Sequence, residues 1–436
     1  MTTDAVRGFD ADVAVVGLGA IGSSAAWRLA ARGLDVIGID QHEPGHVWGG
    51  SRGRTRLFRV ACLEHPGLVP IARRARELWR ELEAAAGQEL LLETGGIMIG
   101  QPGSRIIDGT LAAARVHALP VERLDADELA RRLPGHARLD PGDVGLWDPE
   151  AGVLRPEAAI VAAVDAARAA GARIRTGERV LAIEPDADGV TVRLAGGEPS
   201  NAASETAAAG GTASRELRVR RVVLAAGPWL PQLVPALPIT PHRVVMTWFG
   251  AREGHEASAD RLHVFIRSVP GLPPGEEHWI WGHGALAGDL AKVGPEFDGP
   301  FEADDPDAID RDIHAGETDG IQALVAAALP DLDPEPAEAT TCIMAHTPDG
   351  QFVLGRPGAS SGLRASGDRG APGDRGASGD RDASGDRDAS DRVVVAGGCS
   401  GHSFKHASAL GELAAQLTVG EAPFTDIGFL DPARFA

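Results

Sequence analysis

Tyrosine is absent from the 436-residue chain, and lysine nearly so: of 42 basic residues only Lys292 and Lys405 are lysines. On a solvated surface arginine replaces lysine at little cost. A site that needs a compact ammonium cannot accept the planar guanidinium instead. A lysine that persists against such a bias is a candidate for a special role; a leftover surface residue is the other reading. Cysteine is scarce as well. Cys62, Cys342 and Cys399 are odd in number and widely spaced, which excludes a disulfide scaffold and suits a reducing, cytoplasmic compartment. No apolar run approaches the roughly 20 residues that span a bilayer, so no membrane partner is expected. The polar, acidic start MTTDAVRGFDAD gives no expectation of a secretion signal. A formal charge of −20 argues against non-specific nucleic-acid binding. No metal site is expected.

What is present reads as a soluble globular protein, with 43% hydrophobic and 24% charged residues and length enough for two domains. Residues 12–16 (DVAVV) form a short apolar run that meets Gly17, Gly19 and Gly22 at once. A helical pattern follows to Gly33, then a second apolar run, DVIGI, ending at Asp40. This is a βαβ unit. Helices are expected over 73–86, 158–170 and 319–329. Strands are expected over 179–183, 189–194, 221–227, 243–250, 278–282 and 392–398. Two stretches read as insertions. Residues 196–214 look like a lengthened hairpin tip. Residues 367–390 repeat GDRGAP, GDRGAS, GDRDAS, GDRDAS; with no apolar side chain larger than Ala or Pro they cannot bury a core, and a disordered loop is expected.

Each glycine of Gly17-Leu-Gly19-Ala-Ile-Gly22 has a task in a dinucleotide site. The first permits the tight turn, the second lets the backbone approach a pyrophosphate, and the third lets the helix pack close to the strand. The pyrophosphate then meets free N–H groups at the helix N-terminus. Asp40, 18 residues after Gly22, stands where a carboxylate accepts from ribose hydroxyls. The motif does not by itself separate FAD from NAD.

Three further segments do. Residues 53–59 read Gly-Arg-Thr-Arg-Leu-Phe-Arg, 340–347 read Thr-Thr-Cys-Ile-Met-Ala-His-Thr, and 397–405 read Gly-Gly-Cys-Ser-Gly-His-Ser-Phe-Lys. With the glycine motif they resemble the family of monomeric sarcosine oxidase and N-methyltryptophan oxidase, within the D-amino-acid oxidase superfamily of FAD-dependent oxidoreductases. The resemblance runs nearly end to end. It implies an α/β chain, more fully an α+β two-domain flavoenzyme: a Rossmann-like FAD-binding domain plus a sheet-rich substrate domain, with the flavin ring between them. The domains would comprise 1–88, 152–236 and 345–436 for FAD, and 89–151 and 237–344 for substrate. The chain is expected to be a monomer.

The resemblance also implies residue roles. Cys342 matches the position that bonds covalently to the flavin, and a buried structural thiol is the other reading. Lys292, in A-K-V-G, matches the lysine that promotes reaction with O2, with Arg56 close to the flavin. Arg59 and Lys405 match the pair that holds the carboxylate of an amino acid substrate; for Arg59 an ion pair with a protein acid is the alternative. The cofactor set extends to Ile21, Gly53, Thr55, Val180, Gly227, Gly398, Gly401, His402 and Phe404. The implied reaction passes a hydride equivalent from a secondary amine to FAD; the imine is hydrolysed and O2 becomes hydrogen peroxide.

The chain departs from the pattern at the substrate. Trp281 and Met344 stand at tyrosine positions, Glu296 where a histidine is usual, and 49–52 (Gly-Gly-Ser-Arg) replaces a histidine-rich form. A larger, more apolar wall suits a bulkier N-methylated amino acid or a cyclic imino acid at least as well as sarcosine. An oxidase or dehydrogenase of cyclic imino acids, an NAD-binding dehydrogenase and an interaction protein built on the repeat are the competing readings.

Overall fold

The computed structural model describes residues 8–196, 215–270, 277–296, 303, 305–358, 362–363 and 389–436. Residues 197–214 of the expected tip and 367–388 of the repeat lie outside them. Two compact units divide the chain: 1–51, 157–240 and 345–436 in one, 52–156 and 241–344 in the other.

The first unit is built on a parallel sheet. Val36–Ile39 pairs with Ala11–Val16, which pairs with Arg215–Leu224, which pairs with Val393–Gly397. Arg173–Arg175 adds to the far side of Val36–Ile39, also parallel. Runs such as VVL and VVVAG are apolar without alternation because both faces of a parallel sheet are covered. Val180–Pro185 and Val190–Leu194 extend the sheet as an antiparallel meander, with Leu194 opposite Arg215, so the insertion does join the two strands of a hairpin. The helices Ala20–Ala30 and Ala407–Val419 cross so closely that a Cβ on Gly411 would lie 2.5 Å from that of Ser24.

The second unit holds an eight-stranded sheet. Its order is Glu338–His346, Thr240–Phe249, Ala291–Pro295, Glu277–His283, Val264–Pro270, Gly96–Gly100, Val144–Asp148, Glu122–Leu124. Residues 52–88 were expected with the first unit and pack with the second. Arg56–Phe58 there pairs with Gly152–Leu154, which also pairs with Leu91–Glu93. The helix expected from residue 73 runs Leu68–Ala86 and ends on Gly87 at φ 63, a left-handed stop that glycine takes without strain. Successive strand residues face opposite sides. One side of the large sheet carries Phe249, Phe265, Ile280, Ala291 and Val293 into a core with Ile321, Leu324 and Val325 of the helix Asp319–Ala328. The other side carries Met246, Trp248, Trp281, His283 and Lys292. No described helix is long and apolar enough to cross a membrane, and no described cluster of His, Cys, Asp and Glu could hold a metal.

Candidate active site

Five parallel strand ends of the first unit carry its expected cofactor residues. Gly17–Gly22 follow Val16, Asp40 follows Ile39, Gly227 lies three residues past Leu224, Gly398 follows Gly397, and Val180 comes shortly after Arg175. Ligands of open α/β sheets bind outside these carboxyl ends.

The three motif glycines differ in what they require. Gly17 has φ 88, and a Cβ there would lie 2.5 Å from the Ala225 carbonyl oxygen. On Gly22 it would lie 1.8 Å from the Gly17 oxygen. Gly19 has ordinary extended angles, φ −68 and ψ −160, and its Cβ would meet nothing nearer than Ser51 Oγ at 3.8 Å. Neither protein packing nor backbone angle demands glycine there. Space left over a helix N-terminus fits a pyrophosphate. Gly17→Ala is therefore expected to destabilise flavin-free protein by roughly 3–5 kcal/mol. Gly19→Ala should leave its unfolding curve unchanged and cut flavin content after purification. Denaturant melts of both variants, set beside their absorbance, check the contrast.

Asp40 is buried, accepting from the Leu18 N–H at 2.7 Å and the His42 N–H at 2.8 Å. Burial raises its pKa against the pull of these donors. In the turn after Gly397, Gly398 and Gly401 have φ 67 and 81. Ser400 Oγ accepts from the Thr347 N–H, and Cys399 Sγ from the Ala345 N–H at 3.3 Å. Cys399 thus tethers the turn. The helix that follows starts as a 3-10 turn, Phe404–His406, before Ala407–Val419. Lys405 is 3% exposed and donates to the His402 carbonyl at 3.2 Å.

In the second unit the expected residues converge. Lys292 is 2% exposed; its ammonium donates to the carbonyls of Gly53 at 3.0 Å and Thr55 at 3.1 Å. Gly53 has φ 119, and a Cβ there would sit 2.8 Å from Met246 Sδ and 3.0 Å from Lys292 Nζ. Arg56 donates to Thr55 O at 2.8 Å and towards Cys342 Sγ at 3.9 Å, and the thiol is buried. His283 lies opposite Lys292 in the sheet and meets Thr55 Oγ1 at 2.8 Å. Its Nδ1 faces the Gly284 carbonyl at 2.7 Å. A carbonyl only accepts, so the proton is assigned to Nδ1, and Thr55 donates to Nε2. Burial, with the Lys292 charge, lowers the imidazole pKa to about 4, so it is neutral at pH 7.

Arg59 is buried against Glu64, 2.6 Å from its Oε1, so the ion pair named as the alternative is present. Burial presses its pKa down, and Glu64, by its charge and its hydrogen bond, together with Cys62 and Asp148 holds it raised. Its Nε is buried without a hydrogen-bond partner among the described residues. Trp281 donates to the Pro295 carbonyl at 2.9 Å, and a Cβ on Gly294 would lie 2.5 Å from its ring. Met344 is buried, two residues from Cys342 on the same strand and so on the same face. Glu296 is exposed. A separate cavity of about 510 Å³ in this unit, lined by Glu256, Asp260 and Asp289 among others, holds none of the expected residues.

Sequence reasoning missed Trp248. Its ring lies 5.1 Å from Lys292 Nζ and 4.7 Å from the Arg54 guanidinium, and it packs with Met246 and Cys342. It also missed His283 and Glu64. Glu64, five residues after Arg59, carried a usable signal; Trp248 and His283 meet Lys292 only through strand register.

The profile of the family described as "FAD dependent oxidoreductase" matches residues 12–417. Monomeric sarcosine oxidase of Streptomyces avermitilis is 32% identical over 430 residues, covering 98% of each chain. N-methyl-L-tryptophan oxidase of Citrobacter koseri is 29% identical, covering 95% of this chain and 96% of that one. Among solved structures, NikD, described as an unusual amino acid oxidase essential for nikkomycin biosynthesis, aligns with a TM-score of 0.75 at 25% identity over 98% of both chains.

Proposed function

The chain belongs to the family of FAD dependent oxidoreductases, and from that membership we propose an oxidase of secondary-amine amino acids. FAD, when bound, would take two electrons and one proton as a hydride equivalent from the C–H bond while the amine loses its N–H proton, and O2 would take up those two electrons and two protons to give hydrogen peroxide. Water converts the imine product to a carbonyl compound and a free amine. The observation that carries the reading is the burial of both lysines, one among Gly53, Thr55, Arg56 and Cys342, the other in the 3-10 turn just after the glycines.

In this reading Gly19 leaves room for the pyrophosphate and Asp40 takes the ribose. Cys342 would bond the flavin through sulfur in place of a methyl C–H, the S–H and C–H protons leaving with two electrons that O2 takes up, and Arg56 donates towards that sulfur. Lys292 is the fixed cation for the negative charge that develops as oxygen is reduced. Lys405 and Arg59 are assigned the substrate's acid group; Glu64 holds the Arg59 fork and leaves Nε as a buried donor. Trp281 and Met344 give an apolar wall, which favours a substituent larger than the hydrogens of sarcosine. A cyclic imino acid meets the same description.

The test is the purified full-length protein. A flavin absorbance band is expected, together with peroxide release from a panel of N-methyl amino acids and cyclic imino acids. Their decarboxylated amines should give little. A colourless protein, or equal turnover of the amines without an acid group, would overturn the reading.

A further inference from the structure

Glu178 is assigned no part above, yet it stands at the same row of strand ends. The motif glycines end Ala11–Val16, Asp40 ends Val36–Ile39, and the next strand outward is Arg173–Arg175, paired in parallel with Ile39 opposite Arg175. Pyrophosphate, ribose and base are joined in that order in an adenosine diphosphate. With pyrophosphate on the first strand end and ribose on the second, the base reaches the third. There Gly177, at φ 72, turns the chain, and the Glu178 N–H donates to the Asp40 carbonyl at 3.1 Å.

The Glu178 carboxylate is held at one oxygen. Oε1 accepts from Arg175 at 2.7 Å and from Arg215 at 3.3 Å, and the side chain is 10% exposed. Oε2 is buried and has no hydrogen-bond partner among the described residues. A buried acceptor without a donor costs about 1–3 kcal/mol, so such atoms are rarely left without a purpose. Two guanidinium groups on one side leave the other oxygen as the acceptor offered to a ligand.

We propose that Glu178 recognises the adenine of FAD, Oε2 accepting from the exocyclic amine. The inference rests on the FAD reading above. A carboxylate is suited to this task because adenine presents an N–H donor at that position, whereas hypoxanthine presents an oxo group that would repel it.

The test uses the full chain carrying Cys342→Ala, so that flavin exchanges freely. Flavin fluorescence follows its titration with FAD, with the dinucleotide whose adenine is replaced by hypoxanthine, and with FMN. With Glu178 present, FAD should bind about 10–100-fold tighter than the hypoxanthine compound. Glu178→Gln should bring the two close together, because the amide can turn its NH2 to the oxo group, and FMN binding should not change. Glu178→Asp keeps the charge facing Arg175 but withdraws the oxygen, and should also shrink the preference if the amide variant fails to fold. Equal affinities with Glu178 present, or a preference that survives in either variant, overturn the assignment. Failure to bind either dinucleotide rejects the FAD reading itself, and this one with it.

Discussion

Lys292→Met is expected to be reduced by substrate within a few-fold of the wild-type rate and reoxidised by air about 10²–10³-fold more slowly. Charge accumulates on oxygen as it takes up electrons, and a fixed ammonium stabilises it without having to reorganise. The ammonium is fixed here: the Gly53 and Thr55 carbonyls and the Trp248 ring hold it in place. His283, with its pKa near 4, adds no positive charge at neutral pH. Methionine matches the length and apolar stem of lysine but leaves two carbonyls without that donor. A loss of stability of about 1–3 kcal/mol should accompany the kinetic change. Stopped-flow reduction and reoxidation, measured separately, divide the two effects. A merely structural lysine would slow both half-reactions or neither, and unchanged reoxidation would discard the oxygen role. Lys292→Arg tests position against charge. The pocket is already tight enough that a Cβ on Gly53 would touch Nζ at 3.0 Å, so the larger guanidinium should restore little.

How far this site could be read from the chain depended on sequence distance. The glycine turn and its acid were legible because they are local: Gly17, Gly19, Gly22 and Asp40 lie on one βαβ unit. The lysines were legible for a compositional reason, since two survive among 42 basic residues. Trp248 and His283 were not. They reach Lys292 because Trp248 and Lys292 are opposite one another in one strand pair, and His283 and Lys292 in the next. A segment such as VVMTWF does not reveal its register, nor which of its faces meets the core. For Arg59 an ion pair with a protein acid was foreseen but not which acid, although Glu64 is five residues away. Glu178 was one acid among 62, and its place beside Asp40 exists only once Arg173–Arg175 joins the sheet. The boundary at residue 88 missed for a similar reason. Arg56–Phe58 takes its partner from Gly152–Leu154, nearly a hundred positions on, and that pairing carries residues 52–88 into the second unit.

Cys342→Ala is expected to abolish covalent flavin. Acid precipitation of the parent protein should leave yellow colour in the pellet, and the variant should release it wholly to the supernatant. Three thiols compete for this role, and their surroundings differ. Cys62 is fully buried, its Sγ facing the Arg59 carbonyl at 3.7 Å. Cys399 accepts a backbone N–H and tethers the glycine turn. Cys342 shares its face of the sheet with Met246 and Trp248, and it has the Arg56 guanidinium donating towards it. Attack by sulfur on the flavin needs a thiol within reach of the ring rather than one tied into packing or a backbone turn. Cys62→Ala and Cys399→Ser should therefore keep colour in the pellet. The variant's stability should also become dependent on flavin concentration. A tethered ligand cannot dissociate, whereas a free one stabilises by RT ln(1 + [L]/Kd), about 2.7 kcal/mol at a hundredfold excess over Kd. Thermal melts of Cys342→Ala should climb with added FAD, while those of the parent stay flat. Colour that remains in the variant's pellet would move the attachment to another residue.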